Sequence, residues 1–180
     1  MLQNKAIAIF NYVDKCELGV CLFLNQASHK NPIKLFFSII SRLGNGVFWY
    51  VLMLLLPLIY GLSAWQVSLH MACVAVVGVL IYKLLKQNLV RQRPFITHAS
   101  INLGTAPLDE YSFPSGHTLH AVSFLIIALN YYPELAFVLI PFTILVALSR
   151  VILGLHYPSD VLVGAAIGFA ISFGSIQFLL

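Results

Sequence analysis

Three short stretches of the chain combine cationic, imidazole and carboxylate side chains, and each lies at the end of an apolar segment. Their sequences are KQNLVRQRP at Lys86–Pro94, PSGH at Pro114–His117 and SRVILGLHYPSD at Ser149–Asp160. Lysine and arginine bind phosphate oxygens. Histidine moves protons near neutral pH and also acts as a nucleophile. These residue types, taken together, suit the transfer of a phosphoryl group.

The first stretch carries two cations at a helical spacing. Lys86 and Arg93 are seven residues apart, which is two helical turns, so both side chains face the same way if the helix continues as far as Pro94. Two cations on one face suit a phosphate, whereas basic residues at the end of a span also serve simply to anchor it to lipid head groups. Lys83 and Arg91 are interpreted as anchors of that ordinary kind.

The second stretch, Pro114–His117, directly precedes an apolar run and is predicted to open a helix. Free backbone amides at a helix start bind anions, and Gly116 lets an oxyanion approach the backbone closely. Ser115 is expected to cap the helix and to donate a hydrogen bond to a phosphate oxygen. His117 is placed to give a proton to a leaving oxygen. The plain alternative is a capped helix with a histidine at the membrane interface.

The third stretch pairs an imidazole with a carboxylate across one turn. Gly154 is expected to break a helix and Pro158 to begin the next one. Asp160 follows His156 by four residues, so a helical turn would bring the carboxylate against the ring, where it fixes the tautomer and raises the basicity of the other nitrogen. That nitrogen can then attack phosphorus. The alternative is that Asp160 only caps the helix.

The composition shows what must position these residues. The 180 residues are 60% hydrophobic and only 9% charged, against about 25% charged in soluble domains, so a soluble globule is excluded and an integral membrane protein is predicted. The net charge of +4 is carried by few cations, several of them inside the motifs, which argues against a nucleic-acid partner. Five apolar segments are clear: 47–62, 65–85, 118–131, 135–152 and 161–180.

Counting these segments predicts where the motifs meet. If each segment crosses the membrane once, the ends marked by Lys86, Ser115, Arg150 and His156 lie on the same face. The opposite face keeps only two short connections and the C-terminus. The three motifs are therefore expected to form one site at the membrane surface.

The first 46 residues are harder to interpret. Residues 6–25 are predicted to be a tilted first span rather than a surface helix, although Asp14, Lys15 and Glu17 interrupt them. Residues 32–43 place their apolar side chains on one helical face, which is typical of a helix lying in the membrane surface.

We therefore predict an all-α fold, a polytopic membrane helical bundle of five or six transmembrane helices with an amphipathic N-terminal region. Residues 1–46 would form the first span or interfacial helices, and residues 47–180 the core that carries all three motifs.

The three stretches resemble the signature of the type-2 phosphatidic acid phosphatase superfamily, which includes membrane lipid phosphate phosphatases, bacterial non-specific acid phosphatases and vanadium haloperoxidases. That signature is Lys, six residues, Arg-Pro; then Pro-Ser-Gly-His; then Ser-Arg, five residues, His, three residues, Asp. Every position is matched, by Lys86, Arg93, Pro94, Pro114, Ser115, Gly116, His117, Ser149, Arg150, His156 and Asp160.

The resemblance implies a role for each matched residue. His156 would be the nucleophile that forms a phosphohistidine, Asp160 would orient it, and His117 would be the general acid. The groups that would hold the phosphoryl oxygens are Lys86, Arg93, Arg150, Ser115 and the Gly116 amide. No metal or other cofactor is expected, since the chain offers no carboxylate cluster suited to Mg²⁺.

The expected activity is hydrolysis of a phosphate monoester or diphosphate on a membrane lipid. Candidate substrates are undecaprenyl diphosphate, phosphatidylglycerophosphate, phosphatidic acid and lipid A phosphate. Three alternatives remain open: a lipid phosphotransferase that uses the same phosphohistidine, a haloperoxidase, which so apolar a chain disfavours, and a non-catalytic lipid-binding membrane protein.

The expected partners are the lipid substrate and the bilayer, with no obligate protein partner. Lys30, Lys34 and Arg42 are expected on the motif side, and by the positive-inside rule alone they would place the site in the cytoplasm. The cations of the site itself confound that count. The resemblance favours a bacterial inner membrane with the site facing the periplasm.

Overall fold

The computed structural model describes residues 2–179, and within that range every regular element is helical, which confirms the predicted all-α class. The helices are α1 (Leu2–Asn25), α2 (Asn31–Arg42), α3 (Phe48–Tyr60), α4 (Trp65–Asn88), α5 (Pro94–Thr97), α6 (Gly116–Tyr131), α7 (Ala136–Ile152) and α8 (Pro158–Leu179). The five apolar segments predicted from sequence correspond to α3, α4, α6, α7 and α8.

Four helical stretches of the described chain are long and apolar enough to cross a bilayer: 31–60, 62–88, 133–152 and 158–178. Helix α6 has 16 residues, which is short for a span of about 20 residues, and it packs among α4, α7 and α8. Helix α1 is 24 residues long but carries the charges of Asp14, Lys15 and Glu17. The bundle is thus a membrane protein in which four spans are evident from length and hydropathy, and the total of five or six spans stays a prediction.

Helices α2 and α3 are joined by a π-helical turn at Leu43–Val47 with a kink at Gly46, whose φ is 128°. A residue with a side chain rarely adopts that backbone angle. Gly44 lies against α7, where an added Cβ would be 2.8 Å from Val146. The predicted division into residues 1–46 and 47–180 stays a prediction. The placement of α2 in the membrane surface stays a prediction.

Helices α6 and α8 approach each other closely because α8 presents small residues along one face. Gly164, Gly168 and Ser172 recur every four residues, and a Cβ at Gly168 would lie 2.4 Å from the Leu119 carbonyl oxygen. The Ser123 hydroxyl donates to the Gly168 carbonyl oxygen at 3.2 Å. Such small-residue stripes let membrane helices pack backbone to backbone. The close contact fixes the start of α8 against the start of α6.

Aromatic rings fill the core between α3, α6 and α7. Trp49 is fully buried, with ring centroids 5.1 Å from Phe124 and 5.5 Å from Phe142. Large apolar side chains such as Leu58 and Phe137 instead point outward, and Phe137 is 90% exposed. Apolar groups on the outside suit contact with lipid chains, as expected for a bundle in a bilayer.

Candidate active site

One cavity of about 420 Å³ lies where α4, α6, α7 and the turn before α8 come together. The motif residues that line it are Lys86, Arg93, Gly116, His117, Arg150 and His156. The convergence predicted by counting spans is therefore observed. Ser115 and Asp160, the two remaining predicted site residues, are fully buried behind this wall.

The backbone between Lys86 and Arg93 differs from the predicted continuous helix, although both side chains line the cavity. Helix α4 ends at Asn88, and Arg93 is extended (φ −80°, ψ 150°), so the expected continuous helix up to Pro94 is wrong. A residue before proline is disfavoured in the helical region, and here Pro94 opens α5 instead of ending α4. The extended segment turns Arg93 back towards the cavity.

The carboxylate of Asp109 forms ion pairs with both of these cations. Asp109 Oδ1 accepts from Lys86 Nζ and from Arg93 Nη2, both at 2.6 Å. Burial alone would raise the pKa of Asp109, but the hydrogen bonds and charges of Lys86 and Arg93 outweigh it and lower the pKa. Asp109 comes from the long loop before α6, and its position follows neither from the motif spacing nor from hydropathy.

The Pro-Ser-Gly-His stretch starts a helix as predicted, with Ser115 as the N-cap of α6. The Ser115 hydroxyl accepts from the Thr118 amide at 3.5 Å and shares a hydrogen bond with the Thr118 hydroxyl at 2.9 Å. Gly116 and His117 line the cavity, while Ser115 does not. The structure therefore places Ser115 in the capping position, and its predicted contact with a phosphate oxygen stays a prediction.

His156 is held in a tight turn between α7 and α8. Gly154 has a φ of 73°, and the amides of Leu155 and His156 both donate to the Arg150 carbonyl at 3.0 Å. His156 Nε2 lies 3.4 Å from Arg93 Nη1, and both residues line the cavity. Burial, together with the charges of Arg150 and Arg93, lowers the pKa of His156 well below its ordinary value. A neutral ring has a nitrogen lone pair free to act as a nucleophile.

Asp160 faces the other nitrogen of that ring. Its Oδ2 is 3.6 Å from His156 Nδ1 and accepts from the Tyr157 amide at 2.9 Å. The predicted turn therefore brings the two side chains together, but the separation exceeds hydrogen-bond length. Direct orientation of His156 by Asp160 stays a prediction. The Asp160 backbone carbonyl also accepts from the Ser115 amide at 3.0 Å, which joins the second motif to the third.

The interpretation of Arg91 as a lipid anchor is wrong. Arg91 is only 2% exposed and forms ion pairs with Asp160 at 2.5 Å, Asp14 at 2.6 Å and Glu17 at 3.2 Å. Burial alone would lower the pKa of Arg91, but the charges of Asp160 and Asp14 outweigh it and raise the pKa. Asp14 and Glu17 are the charges that interrupt the apolar pattern of α1. Two carboxylates one turn apart in such a helix need a partner, and this signal was available in the sequence.

The N-terminal helices support the third motif as well. Arg150, buried and lining the cavity, donates to the hydroxyl of Ser41 on α2. Asn25, at the end of α1, donates to the Ile152 carbonyl at 2.9 Å. The sequence motifs do not extend into residues 1–46, so these contacts were missed.

The charge of the cavity suits an anion. Three cations of the motifs, Lys86, Arg93 and Arg150, line it. The other ionisable groups of the lining are one further cation, one carboxylate and three histidines: Lys83, Asp109, His117, His120 and His156. Across the described part of the chain, no group of three or more His, Cys, Asp or Glu side chains is arranged to hold a metal ion. A cavity lined by these cations and imidazoles suits the binding of an oxyanion.

Comparison with known proteins agrees with the motifs. The sequence pattern of the PAP2 superfamily matches residues 65–180. An undecaprenyl-diphosphatase from Sulfolobus acidocaldarius is 30% identical over 163 residues, which cover 89% of this chain and 76% of that protein.

Two solved structures share the fold. The crystal structure of LpxE from Aquifex aeolicus superposes with a TM-score of 0.77 at 25% identity, over 90% of this chain and 95% of that one. A transmembrane PAP2-type phosphatidylglycerolphosphate phosphatase from Bacillus subtilis superposes with a TM-score of 0.67 at 22% identity, over 98% and 95%. The resemblance carried by the three motifs is confirmed: the chain belongs to the PAP2 superfamily and is a membrane phosphatase of that family.

Proposed function

We propose that the protein hydrolyses a phosphate monoester or diphosphate on a membrane lipid, without a metal and through a phosphohistidine intermediate. The observation that carries this proposal is that one cavity of about 420 Å³ is lined by the cations Lys86, Arg93 and Arg150 together with His117 and His156. Three fixed cations offset the charge on the phosphoryl oxygens and stabilise the transition state, which is the main requirement of phosphoryl transfer.

The first step forms a bond between His156 Nε2 and phosphorus while the bond from phosphorus to the lipid oxygen breaks. His117 donates a proton to that leaving oxygen, so the dephosphorylated lipid leaves as an alcohol or as a lipid phosphate. Asp160 stabilises the positive charge that the His156 ring acquires. The Gly116 amide at the start of α6 and the three cations hold the phosphoryl oxygens.

The second step returns the enzyme to its starting state. Water attacks phosphorus, the bond between phosphorus and Nε2 breaks, and His117 takes the proton from the water. Inorganic phosphate leaves. An acceptor lipid in place of water would make the enzyme a phosphotransferase.

The position of the cavity supports this substrate class. The cavity lies towards the ends of the apolar helices, and the outer surface of the bundle is apolar. In a bilayer the cavity would therefore be within reach of a lipid head group. The candidates are undecaprenyl diphosphate, phosphatidylglycerophosphate, phosphatidic acid and lipid A phosphate. The names of the relatives favour prenyl diphosphates and lipid A phosphates.

We place the protein in a bacterial inner membrane with the cavity on the periplasmic side. Replacement of Ser100, which is exposed on the loop of the cavity side, by cysteine tests this orientation. In a variant free of the native cysteines, a membrane-impermeant maleimide should label Ser100→Cys in intact cells. Labelling only after the cells are lysed would place the cavity in the cytoplasm.

The activity is tested by phosphate release from the four lipid classes in detergent, with and without an acceptor lipid. At least one class should release phosphate, and His156→Ala should abolish that release while the protein still folds. The matched control is His29→Ala, a substitution of an exposed histidine outside the cavity, which should retain activity. Turnover by His156→Ala would refute the nucleophile assignment, and phosphate recovered only on the acceptor lipid would indicate a phosphotransferase.

A further inference from the structure

Arg91 lies at the centre of a buried cluster that joins α1 to the start of α8. Its guanidinium is held from two sides: Nε and Nη2 donate to Asp14 Oδ1 at 2.9 and 2.6 Å, and Nη1 donates to Asp160 Oδ1 at 2.5 Å. Nη1 also donates to the Ser159 hydroxyl at 2.8 Å. The face of the guanidinium packs on the Tyr157 ring, 4.1 Å from its centroid. An arginine with this many fixed contacts has little freedom to move.

These contacts divide the two oxygens of Asp160 between different partners. Oδ1 is taken by Arg91, while Oδ2 accepts from the Tyr157 amide and faces His156 Nδ1. Rotation of the carboxylate would break the ion pair with Arg91. Asp160 is 0% exposed, and a buried carboxylate without a cation is unstable as an ion. Arg91 therefore supplies the countercharge of the Asp160 carboxylate and fixes its orientation.

Helix α1 fixes Arg91 in turn. Asp14 and Glu17 are three residues apart and so lie on the same face of α1. Glu17 also accepts from the Ser159 amide through Oε1 and from the Ser159 hydroxyl through Oε2, both at 2.9 Å. A carboxylate on a free amide at a helix start is favourable. Glu17 therefore docks α1 on the first turn of α8, where Asp160 lies.

We propose that Arg91 is a positioning residue for Asp160, and that Asp14 and Glu17 of α1 hold Arg91 in place. The sequence pattern of the PAP2 superfamily begins at residue 65, so α1 lies outside it. This inference rests on the proposed function in one respect: Asp160 is taken to act on His156. It extends the catalytic machinery to a helix that carries none of the three motifs.

The test compares four variants with the wild-type protein in the phosphate-release assay. Arg91→Gln should lower kcat about 100-fold, the typical effect of misplacing a reacting group by about 1 Å. Arg91→Lys keeps the charge but loses the planar fork, so its loss of kcat should be smaller, roughly tenfold. The double variant Asp14→Asn, Glu17→Gln should fall in the same range. The control Lys15→Gln changes an exposed charge of the same helix and should leave kcat unchanged.

Two further measurements separate positioning from loss of structure. The inhibition constant of inorganic phosphate should stay within about twofold in every variant, because Lys86, Arg93 and Arg150 are untouched. The ¹⁵N signals of His156 can be assigned because they are missing from the spectrum of His156→Ala. Their shifts should show the proton on Nδ1 in the wild type and a changed tautomer in Arg91→Gln. Arg91→Lys and the double variant provide the same comparison if Arg91→Gln does not fold.

Each outcome bears on one of the two proposals. A wild-type protein that releases no phosphate from any lipid refutes the proposed function, and the tautomer of His156 still tests the role of Arg91. If the wild type is active and folded Arg91→Gln has a kcat within threefold of the wild-type value, the positioning role is refuted. An unchanged His156 tautomer in that variant also refutes it. In both cases the proposed function still stands. A phosphate inhibition constant that changes in parallel with kcat also refutes it, since Arg91 would then only support the cavity as a whole.

Discussion

Replacement of Gly164 by alanine should damage the protein where α8 meets the second motif. An added Cβ would lie 2.5 Å from the Ser115 carbonyl oxygen, a backbone atom that cannot rotate away. Real Cβ contacts are not shorter than 3.0 Å, so the starts of α6 and α8 must separate by at least 0.5 Å. Gly174→Ala is the matched control on the same helix, because an added Cβ there would meet nothing within 4 Å.

The expected magnitude follows from this geometry. Alanine is favoured over glycine in a helix by about 1 kcal/mol, and both variants receive that gain. The difference between them therefore isolates the steric contact, which should cost about 1–3 kcal/mol for overpacking of a rigid site. For a chain of this size, each kcal/mol lowers Tm by about 2–4 °C.

The same shift should reduce activity. The Ser115 amide donates to the Asp160 carbonyl at 3.0 Å, so separation of the two helices moves His117 relative to His156. Since a misplacement of about 1 Å costs about 100-fold, a shift of half that size should lower kcat roughly tenfold. Gly168→Ala creates a similar contact one turn away from the site, 2.4 Å from the Leu119 carbonyl. It should cost similar stability with a smaller loss of kcat.

Thermal unfolding in detergent and phosphate release measure these two effects on the same samples. Gly164→Ala should unfold several degrees below Gly174→Ala and should be the slower enzyme. Equal Tm and equal kcat for the two variants would show that the close contact between α6 and α8 does not exist in the protein.

Two further predictions concern the cations of the cavity. Asp109→Asn removes the carboxylate that lies on Lys86 and Arg93, so inorganic phosphate should inhibit the variant at concentrations about three- to tenfold lower than the wild type; Glu110→Gln, an exposed neighbour, should not change inhibition. The lowered pKa of Asp109 keeps its carboxylate charged down to acid pH, and the ion pairs are lost only as the pH falls through that pKa, so the gain should be present at both about pH 8 and about pH 5. Inhibition that is unchanged in Asp109→Asn would show that this carboxylate does not compete with phosphate. Activity should also survive excess EDTA, because cationic side chains of the protein stabilise the phosphoryl oxygens in place of a metal. Strict dependence of activity on Mg²⁺ would contradict the proposed mechanism.

Much of the fold was predictable because hydropathy is a local property. Each of the five apolar segments lies within a few residues of an observed helix, and Ser115 caps α6 where the Pro-Ser-Gly-His stretch predicted a helix start. The stripe of Gly164, Gly168 and Ser172 was also present in the sequence, but its partner helix was not evident. Which face of α8 meets which helix depends on the packing of the whole bundle.

The errors share a cause, which is that charge pairs join residues far apart in the chain. Arg91 was interpreted as an anchor because only its neighbours in sequence were considered, whereas its partner Asp14 lies 77 positions away. Lys86 and Arg93 were expected to meet along a helix, but they meet on Asp109 across an extended segment. Helical periodicity does not predict contacts made by a loop.

The sequence by itself determined the class of protein, the positions of its helices, the family signature and the set of residues that gather at one end of the bundle. The class of protein, the helix positions and the gathering of these residues follow from composition, periodicity and the parity of membrane crossings, and the family signature rests on the resemblance of the three motifs. Only the tertiary structure decided which partners the charged groups take: Asp109 pairs with the cations of the cavity, Arg91 lies between α1 and Asp160, and Arg150 donates to the Ser41 hydroxyl. A buried charged group pairs with the groups that helix packing brings close to it, so its partners are defined only in the folded bundle.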